Sequence, residues 1–211
     1  MSNHDAIMAS LMSGDTDQLI DRVNSSLDAG IPAVEILNEG LIATMDLVGE
    51  KMESGEMFIP EVIMCAQAMT SAVEILKPQL GEGDNRNVGT LVIGTVKGDL
   101  HDIGKNLVRM MLESSGFGVV DLGVDVEPEA FVEAARKHDA DIVALSALLT
   151  TTMPMLKKTM DAFEEAGLRD SVKILIGGAP VNQGFADEIG ADGYAPDAGS
   201  ASKLAKAVVT A

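Results

Sequence analysis

Hydrophobic residues in the first 80 positions recur at intervals of three and four, which predicts amphipathic helices. Three such stripes follow one another, each opened by a polar or proline start signal and closed by a break. They run from Asp15 to Gly30, from Pro32 to the Ser54–Gly55 break, and from Pro60 to Leu80. Together with a short helix over residues 3–12, the pattern predicts a four-helix bundle of about 80 residues.

Beyond residue 88 the pattern changes to short β-branched runs, each followed by helical periodicity. The runs are Thr90–Val96, Val119–Leu122, Asp141–Leu145, Val172–Ile176 and Gly193–Tyr194, with helices over 103–115, 128–138, 153–166, 182–189 and from about 199. This alternation predicts an α/β fold with a doubly wound, parallel five-stranded sheet of the flavodoxin or Rossmann-like kind.

A polar, glycine-rich stretch, GEGDNRN at 81–87, separates the two patterns and is typical of a linker. We therefore expect a helical domain over 1–83, a linker ending at 84–88, and a sheet domain over 89–211.

The charge balance excludes some classes of binding partner. With 33 acidic and 15 basic side chains the net charge is −18, which argues against nucleic acid and against an anionic membrane surface. No apolar run approaches the ~20 residues that span a bilayer, and the N-terminus lacks the features of a signal peptide. We expect a cytoplasmic protein. Its single cysteine, Cys65, excludes an internal disulfide framework and multi-cysteine metal sites.

The loop after the first predicted strand carries the densest candidate chemistry. It reads Gly98-Asp99-Leu100-His101-Asp102-Ile103-Gly104, at a strand end where doubly wound sheets place their sites. A metal-binding histidine usually donates its other N–H to a carboxylate, and Asp99 is suitably placed for His101. Gly98 and Gly104 allow a sharp turn and close approach of a ligand. The alternative is a helix start capped by Asp102 with a solvated His101.

The loop does not match a phosphate-binding motif, and a lone histidine is too few ligands for zinc. A single protein ligand suits a metal that is already held by a macrocycle, as in haem or a corrinoid.

The segment Asp99–Gly104 resembles the DxHxxG motif of cobalamin-binding domains. Two further family markers follow at later strand ends, Ser146-Ala147-Leu148 for SxL and Gly177-Gly178 for GG. Upstream, Gly55–Val62 and Leu76-Lys77-Pro78 resemble the helical cap of the corrinoid module in methionine synthase. The whole chain is similar to the corrinoid proteins of methylamine, betaine, methanol and methoxyaromatic methyltransferase systems.

The resemblance implies that His101 binds cobalt as the lower axial ligand, displacing the cofactor's own base, and that Asp99 binds the other ring nitrogen. Thr152 stands where methionine synthase has a serine that completes this relay. The remaining implied cofactor contacts come from the loop, the slot for the nucleotide tail and the cap over the upper face. They are Gly98, Leu100, Asp102, Ile103 and Gly104; Ser146, Leu148, Thr150, Gly177 and Gly178; and Met52 and Ile59.

The implied function is a methyl carrier that is inactive alone. Its cobalt would accept a methyl group on a substrate-specific methyltransferase and pass it to tetrahydrofolate or a thiol on an acceptor methyltransferase, with a corrinoid reactivase as a third partner. Three alternatives stay open: the small subunit of an adenosylcobalamin-dependent isomerase, a cobalamin-based light sensor, and a receiver-like domain without cofactor. The sensor is disfavoured because no basic DNA-binding domain and no Trp are present.

Overall fold

A computed structural model describes residues 3–80 and 88–210 of the chain. It divides into two compact units, Met1–Arg86 with Ser114–Gly116, and Asn87–Glu113 with Phe117–Ala211. The predicted linker at 81–87 lies outside the described residues. Of the predicted linker end at 84–88, only Val88 is described.

The first unit contains the helices that the apolar stripes predict. They are α1 (Asn3–Met12), α2 (Thr16–Asp28), α3 (Ala33–Glu35) running through a π-helix (Ile36–Ile42) into α4 (Ala43–Glu53), and α5 (Ile59–Leu76) with a 3₁₀ turn (Lys77–Gln79). Asp15 caps α2 by accepting the Gln18 N–H at 3.0 Å, as its position in the sequence indicates. The Glu61 carboxylate accepts the Phe58 N–H at 2.8 Å at the start of α5.

The second predicted helix differs from expectation in its winding, because seven of its residues form the π-helix. Gly40 lies in this segment, and a Cβ there would lie 3.2 Å from Cγ2 of Ile7. The Thr44 hydroxyl donates to the Gly40 carbonyl one turn away. Apolar spacings of three and four predicted a helix here without resolving how it is wound.

Helix α5 corrects one expectation from the sequence. Among the described residues, Ile59–Gln79 is the one stretch that is long and apolar enough, by length and composition, to cross a membrane. Seven residues of α5 are buried, and the helix contacts α1, α2 and α4 of its own unit. That burial is the behaviour of a core helix in a helical bundle.

The second unit alternates strands and helices as predicted. The strands are β1 (Thr90–Thr95), β2 (Gly118–Asp121), β3 (Ile142–Ser146), β4 (Lys173–Gly177) and β5 (Gly193–Ala195). The helices are α6 (Ile103–Ser114), α7 (Pro128–His138), α8 (Met153–Glu165), α9 (Gln183–Ile189) and α10 (Ala198–Val209). Val92 belongs to one buried cluster, whereas its neighbours Leu91 and Ile93 belong to another. Both faces of the sheet are therefore covered, which explains the continuous apolar runs.

All five strands are parallel, in the order β2-β1-β3-β4-β5. This order confirms the predicted doubly wound, flavodoxin-like α/β sheet, whose strand order reverses between β1 and β3. Thr95 pairs with Ser146 and Ser146 with Gly177. The carboxyl ends of β1, β3 and β4 are therefore level, and the loops that follow them lie side by side.

Candidate functional site

The loop after β1 makes a sharp turn. It lies at the carboxyl-end edge of the sheet, at the point between β1 and β3 where the strand order reverses. Gly98 adopts a left-handed conformation with φ of +82°, which glycine tolerates at little cost. The Asp99 N–H donates to the Val96 carbonyl at 3.1 Å, closing the turn. Asp99 is thereby directed inward, and its side chain is fully buried.

The two carboxylate oxygens of Asp99 serve two different loops. Oδ1 lies 2.7 Å from Nδ1 of His101 and also accepts the His101 backbone N–H at 3.2 Å. Oδ2 accepts the backbone N–H groups of Leu148 at 2.7 Å and Leu149 at 3.2 Å, and the Thr152 hydroxyl at 2.7 Å. One buried carboxylate thus joins the loop after β1 to the loop after β3.

These hydrogen bonds keep Asp99 ionised and set the tautomer of a neutral His101 ring. Burial alone would raise the pKa of Asp99, but hydrogen bonds from His101, Thr152 and the Leu148 N–H together hold that pKa well below its usual range. Asp99 is therefore ionised and can only accept. It follows that the proton of a neutral His101 ring sits on Nδ1 and the lone pair sits on Nε2, the nitrogen that can bind a metal.

The single hydroxyl proton of Thr152 has two acceptors in reach. Oγ1 lies 2.7 Å from the Asp99 carboxylate and 2.9 Å from the Leu149 carbonyl oxygen, and an ionised carboxylate is the stronger acceptor. The Thr152 side chain makes no capping hydrogen bond to α8.

The imidazole of His101 is presented to solvent on an apolar surface. Its side chain is 51% exposed, and the Thr95 hydroxyl donates to its carbonyl at 2.9 Å. Leu100 is 72% and Ile103 81% exposed, and Leu148 and Leu149 are also exposed. Large apolar side chains exposed beside a polar ring are typical of a binding surface.

Three predicted glycines have different surroundings. A Cβ on Gly104 would meet no heavy atom within 4 Å, whereas one on Gly178 would lie 1.8 Å from the Ala147 carbonyl oxygen. Gly178 also has a φ of +127°. A Cβ on Gly177 would lie 3.2 Å from the Ala195 carbonyl oxygen. Gly178 is therefore required by the approach of two backbones, independently of any ligand.

The other predicted site residues are spread over both units. Ser146 ends β3 and is partly buried, Thr150 is exposed in the following loop, and Asp102 accepts the Asn106 side-chain amide at 3.0 Å. Met52 lies partly buried in α4, and Ile59 is exposed at the start of α5. The sheet unit thus brings Asp99, His101 and Thr152 into direct contact. The upper-face role of the two helical-unit residues stays a prediction.

Sequence reasoning missed three residues that organise this loop. Thr95 holds the His101 carbonyl, as given above, and Asp125 accepts the Gly98 N–H at 2.8 Å. Lys105 places its ammonium 2.6 Å from both carboxylate oxygens of Asp121. Lys105 could have been noticed in the sequence because it directly follows the DxHxxG motif. No motif or spacing in the sequence marks Thr95 or Asp125.

Comparison with known proteins matches both parts of the chain to models described as the B12 binding domain, over residues 4–77 and 89–202. The chain is 41% identical to a corrinoid protein of Desulfitobacterium hafniense, covering 99% of this chain and 98% of the relative. It is 42% identical to the trimethylamine corrinoid protein of Methanosarcina barkeri, covering 99% of both.

A solved structure shows the same architecture. The crystal structure of the methanol:cobalamin methyltransferase complex MtaBC from Methanosarcina barkeri contains a chain that is 32% identical, with a TM-score of 0.87, covering 99% of this chain and 80% of that one. On these similarities over nearly its whole length, the chain belongs to the B12-binding family of methyltransferase corrinoid proteins.

Proposed function

We propose that this chain is a corrinoid methyl carrier, which binds cobalamin or a related corrinoid and works between two methyltransferases. The observation that carries the proposal is the geometry of His101. Its Nδ1 lies 2.7 Å from the fully buried Asp99 carboxylate, while half of its side chain faces solvent. The ring is held in one orientation and one tautomer, as a metal ligand requires.

The residues around His101 fit a macrocyclic cofactor. A single histidine suffices when the macrocycle supplies the other ligands, and Leu100 and Ile103 offer exposed apolar surface to a large ring. Open space at Gly104 admits close approach. We assign the remaining contacts to Gly98, Asp102, Ser146, Leu148, Thr150 and Gly177, with Met52 and Ile59 excluding water from the upper face.

When bound, the corrinoid cobalt supplies the centre that takes up and releases the methyl group. The protein's part is to control His101. Asp99 keeps the proton on Nδ1, which increases the electron density that Nε2 offers to a metal. Thr152, by donating to the other oxygen of Asp99, modulates how strongly the carboxylate holds that proton.

The proposed partners follow from the relatives. A related chain occurs in a methanol:cobalamin methyltransferase complex, which supports a substrate-specific methyltransferase as partner. The trimethylamine corrinoid protein among the relatives makes a methylated amine the first donor to test, ahead of betaine, methanol and methoxyaromatics. We propose tetrahydrofolate or a thiol as acceptor, a corrinoid reactivase as third partner, and the cytoplasm, where a free buried Cys65 stays reduced.

The test is reconstitution with hydroxocobalamin, followed by desalting and absorbance spectroscopy. Protein labelled with ¹⁵N-histidine is then reduced to the cobalt(II) state, and electron paramagnetic resonance distinguishes an axial histidine ¹⁵N from the ¹⁴N of the cofactor's own base. We expect retained corrinoid with a nitrogen ligand in the wild type, and loss of that ligand in His101→Ala. His138→Ala, which changes an exposed histidine at the end of α7, is the matched control.

A chain that retains no corrinoid after desalting would overturn the proposal. A histidine ¹⁵N signature that persists in His101→Ala would overturn the ligand assignment. If binding holds, the loaded protein is reduced to cobalt(I) with a chemical reductant and incubated with trimethylamine and a candidate methyltransferase, and formation of the methylated cofactor, with dimethylamine as the other product, is followed by absorbance.

A further inference from the structure

Asp125 has a backbone conformation that its position in the chain does not explain. Among the described residues, the non-glycine residues with positive φ are Asp125, at +57°, and Asp139, at +48°. Asp139 ends α7, where a left-handed residue is a common helix terminator. Asp125 lies in the loop after β2 and ends no helix. The left-handed region is uncommon for residues other than glycine, so the conformation of Asp125 points to a local interaction that holds it.

The contacts of Asp125 supply that interaction. Its Oδ1 accepts the Gly98 N–H at 2.8 Å, and its own backbone N–H donates to the Asp99 carbonyl at 3.0 Å. One residue therefore holds the peptide group before Gly98 and the peptide group after Asp99. The N–H of the next residue, Val126, donates to the Thr95 carbonyl at 3.0 Å, and Val126 forms an isolated parallel β-bridge with Val96. These contacts fix the loop after β2 against the end of β1.

The ion pair of Asp125 contributes less than these hydrogen bonds. Lys97 Nζ lies 3.3 Å from Oδ2 of Asp125 and 3.0 Å from Glu127, and all three side chains are substantially exposed. Exposed ion pairs of this kind contribute little to stability, because water screens both charges. The Gly98 N–H, with help from Lys97, keeps the pKa of Asp125 below its usual range, so the acceptor is ionised.

The Asp99 side chain and the Asp99 backbone are thus held from opposite sides. In the loop after β3, the Leu148 N–H and the Thr152 hydroxyl donate hydrogen bonds to the Asp99 carboxylate. In the loop after β2, Asp125 forms hydrogen bonds with the backbone of Gly98 and Asp99. Since β1 lies between β2 and β3 in the sheet, the loops on both sides of β1 hold Asp99 in the position in which its carboxylate meets Nδ1 of His101.

We propose that Asp125 is a positioning residue for His101, acting by locking the Gly98–Asp99 backbone in the orientation from which the Asp99 carboxylate meets the imidazole. This inference rests on the proposed function, in which His101 is the axial ligand. Asp125 acts through Asp99 and does not itself contact the cofactor.

Three substitutions separate the contributions of Asp125. Asp125→Asn keeps an oxygen acceptor and tolerates the left-handed region. Asp125→Gly removes the acceptor but relieves the strain, and Asp125→Ala removes the acceptor and keeps the strain. Lys97→Met removes the ion pairs of Lys97 with Asp125 and Glu127 and leaves the hydrogen bond from the Gly98 N–H to Asp125. Asp139→Ala disturbs the other left-handed aspartate, which lies at the end of α7.

Two readouts follow His101 directly. In apoprotein labelled with ¹⁵N-histidine, the Nδ1–H of His101 gives a proton resonance that His101→Ala assigns among the three histidines. In the same ¹⁵N-histidine-labelled protein, loaded with hydroxocobalamin and reduced to cobalt(II), paramagnetic resonance distinguishes the histidine nitrogen from the cofactor's own base and gives the ratio of histidine-bound to histidine-free cofactor. Urea unfolding of each apoprotein confirms that the variant is folded.

We expect Asp125→Asn, Lys97→Met and Asp139→Ala to match the wild type in both readouts. In Asp125→Gly and Asp125→Ala, the Nδ1–H resonance broadens and the bound-to-free ratio falls roughly five-fold, because one backbone hydrogen bond that orients the loop is lost. If Asp125→Ala fails to fold, Asp125→Gly carries the test.

The outcomes separate this inference from the function on which it rests. Wild-type readouts in Asp125→Gly, together with loss of the axial nitrogen in His101→Ala, overturn the role of Asp125 and leave the carrier function intact. An unchanged paramagnetic signature in His101→Ala overturns the ligand assignment itself. A loss in Asp125→Asn equal to that in Asp125→Gly also overturns the inference, because the oxygen acceptor would then not be what matters.

Discussion

The hydroxyl oxygen of Thr152 lies 2.7 Å from one oxygen of Asp99, whose other oxygen lies 2.7 Å from Nδ1 of His101. A buried residue of the loop after β3 thus reaches an exposed imidazole in the loop after β1 through one carboxylate. Because Asp99 and Thr152 are both buried, water cannot replace either partner at low cost.

The first prediction tests the hydroxyl of Thr152. Thr152→Val keeps the shape but leaves the Asp99 carboxylate without one donor, while Thr152→Ser keeps the donor. A hydrogen bond to a charged group contributes about 1.5–3 kcal/mol, so the free energy of unfolding should fall by that amount in the valine variant and by less in the serine variant. Urea denaturation of the apoproteins measures both. Equal losses in the two variants would mean that the Thr152 hydroxyl does not stabilise the folded chain.

The second prediction concerns the ion pair of Lys105 and Asp121, whose side chains are 1% and 28% exposed. Asp121→Asn leaves a buried ammonium without its counter-charge, which costs about 3 kcal/mol. Lys105→Met leaves a partly exposed carboxylate that still accepts the Gly123 N–H at 2.9 Å and lies 3.6 Å from Arg109, and should cost about 1 kcal/mol.

Urea unfolding of both single variants and of the double variant checks this asymmetry. The double variant should be more stable than Asp121→Asn, because it no longer contains the buried Lys105 ammonium without a counter-charge. If Lys105→Met is as destabilising as Asp121→Asn, burial of the ammonium is not the dominant cost.

The third prediction is the pH dependence of the same pair. Burial alone would raise the pKa of Asp121, but hydrogen bonds from Lys105 and the Gly123 N–H bring it below the ordinary 3.8. A group whose pKa is lower in the folded chain stabilises the fold above its ordinary pKa, and this stabilisation is lost as pH falls through the folded value. The stability gap between wild type and Asp121→Asn should therefore be constant from pH 7 to 5 and narrow below about pH 4. Urea midpoints at each pH measure it, and a gap that widens in acid would contradict the assignment.

Sequence pattern predicted the elements well because each depends on local apolar spacing. The strand ends and the close pair Asp99 and His101 follow from residues near one another in the chain. Thr152 lies 53 residues from Asp99, and its contact depends on the register that aligns β1 with β3. The left-handed turn at Asp125 and the winding of the π-helix depend on backbone geometry, which apolar and polar spacing does not encode.

The final prediction contrasts two glycines of the site. A methyl group on Gly178 would overlap the Ala147 carbonyl at a φ of +127°, so Gly178→Ala should destabilise the apoprotein by about 3 kcal/mol or more. Gly104 lies in α6 with no heavy atom near an added Cβ, so Gly104→Ala should stabilise the apoprotein by up to about 1 kcal/mol. That methyl group would face the proposed cofactor surface and weaken corrinoid binding roughly ten-fold, equal to about 1.4 kcal/mol. Urea unfolding and equilibrium binding of hydroxocobalamin measure the two effects. Unchanged affinity in Gly104→Ala would place the cofactor away from the start of α6.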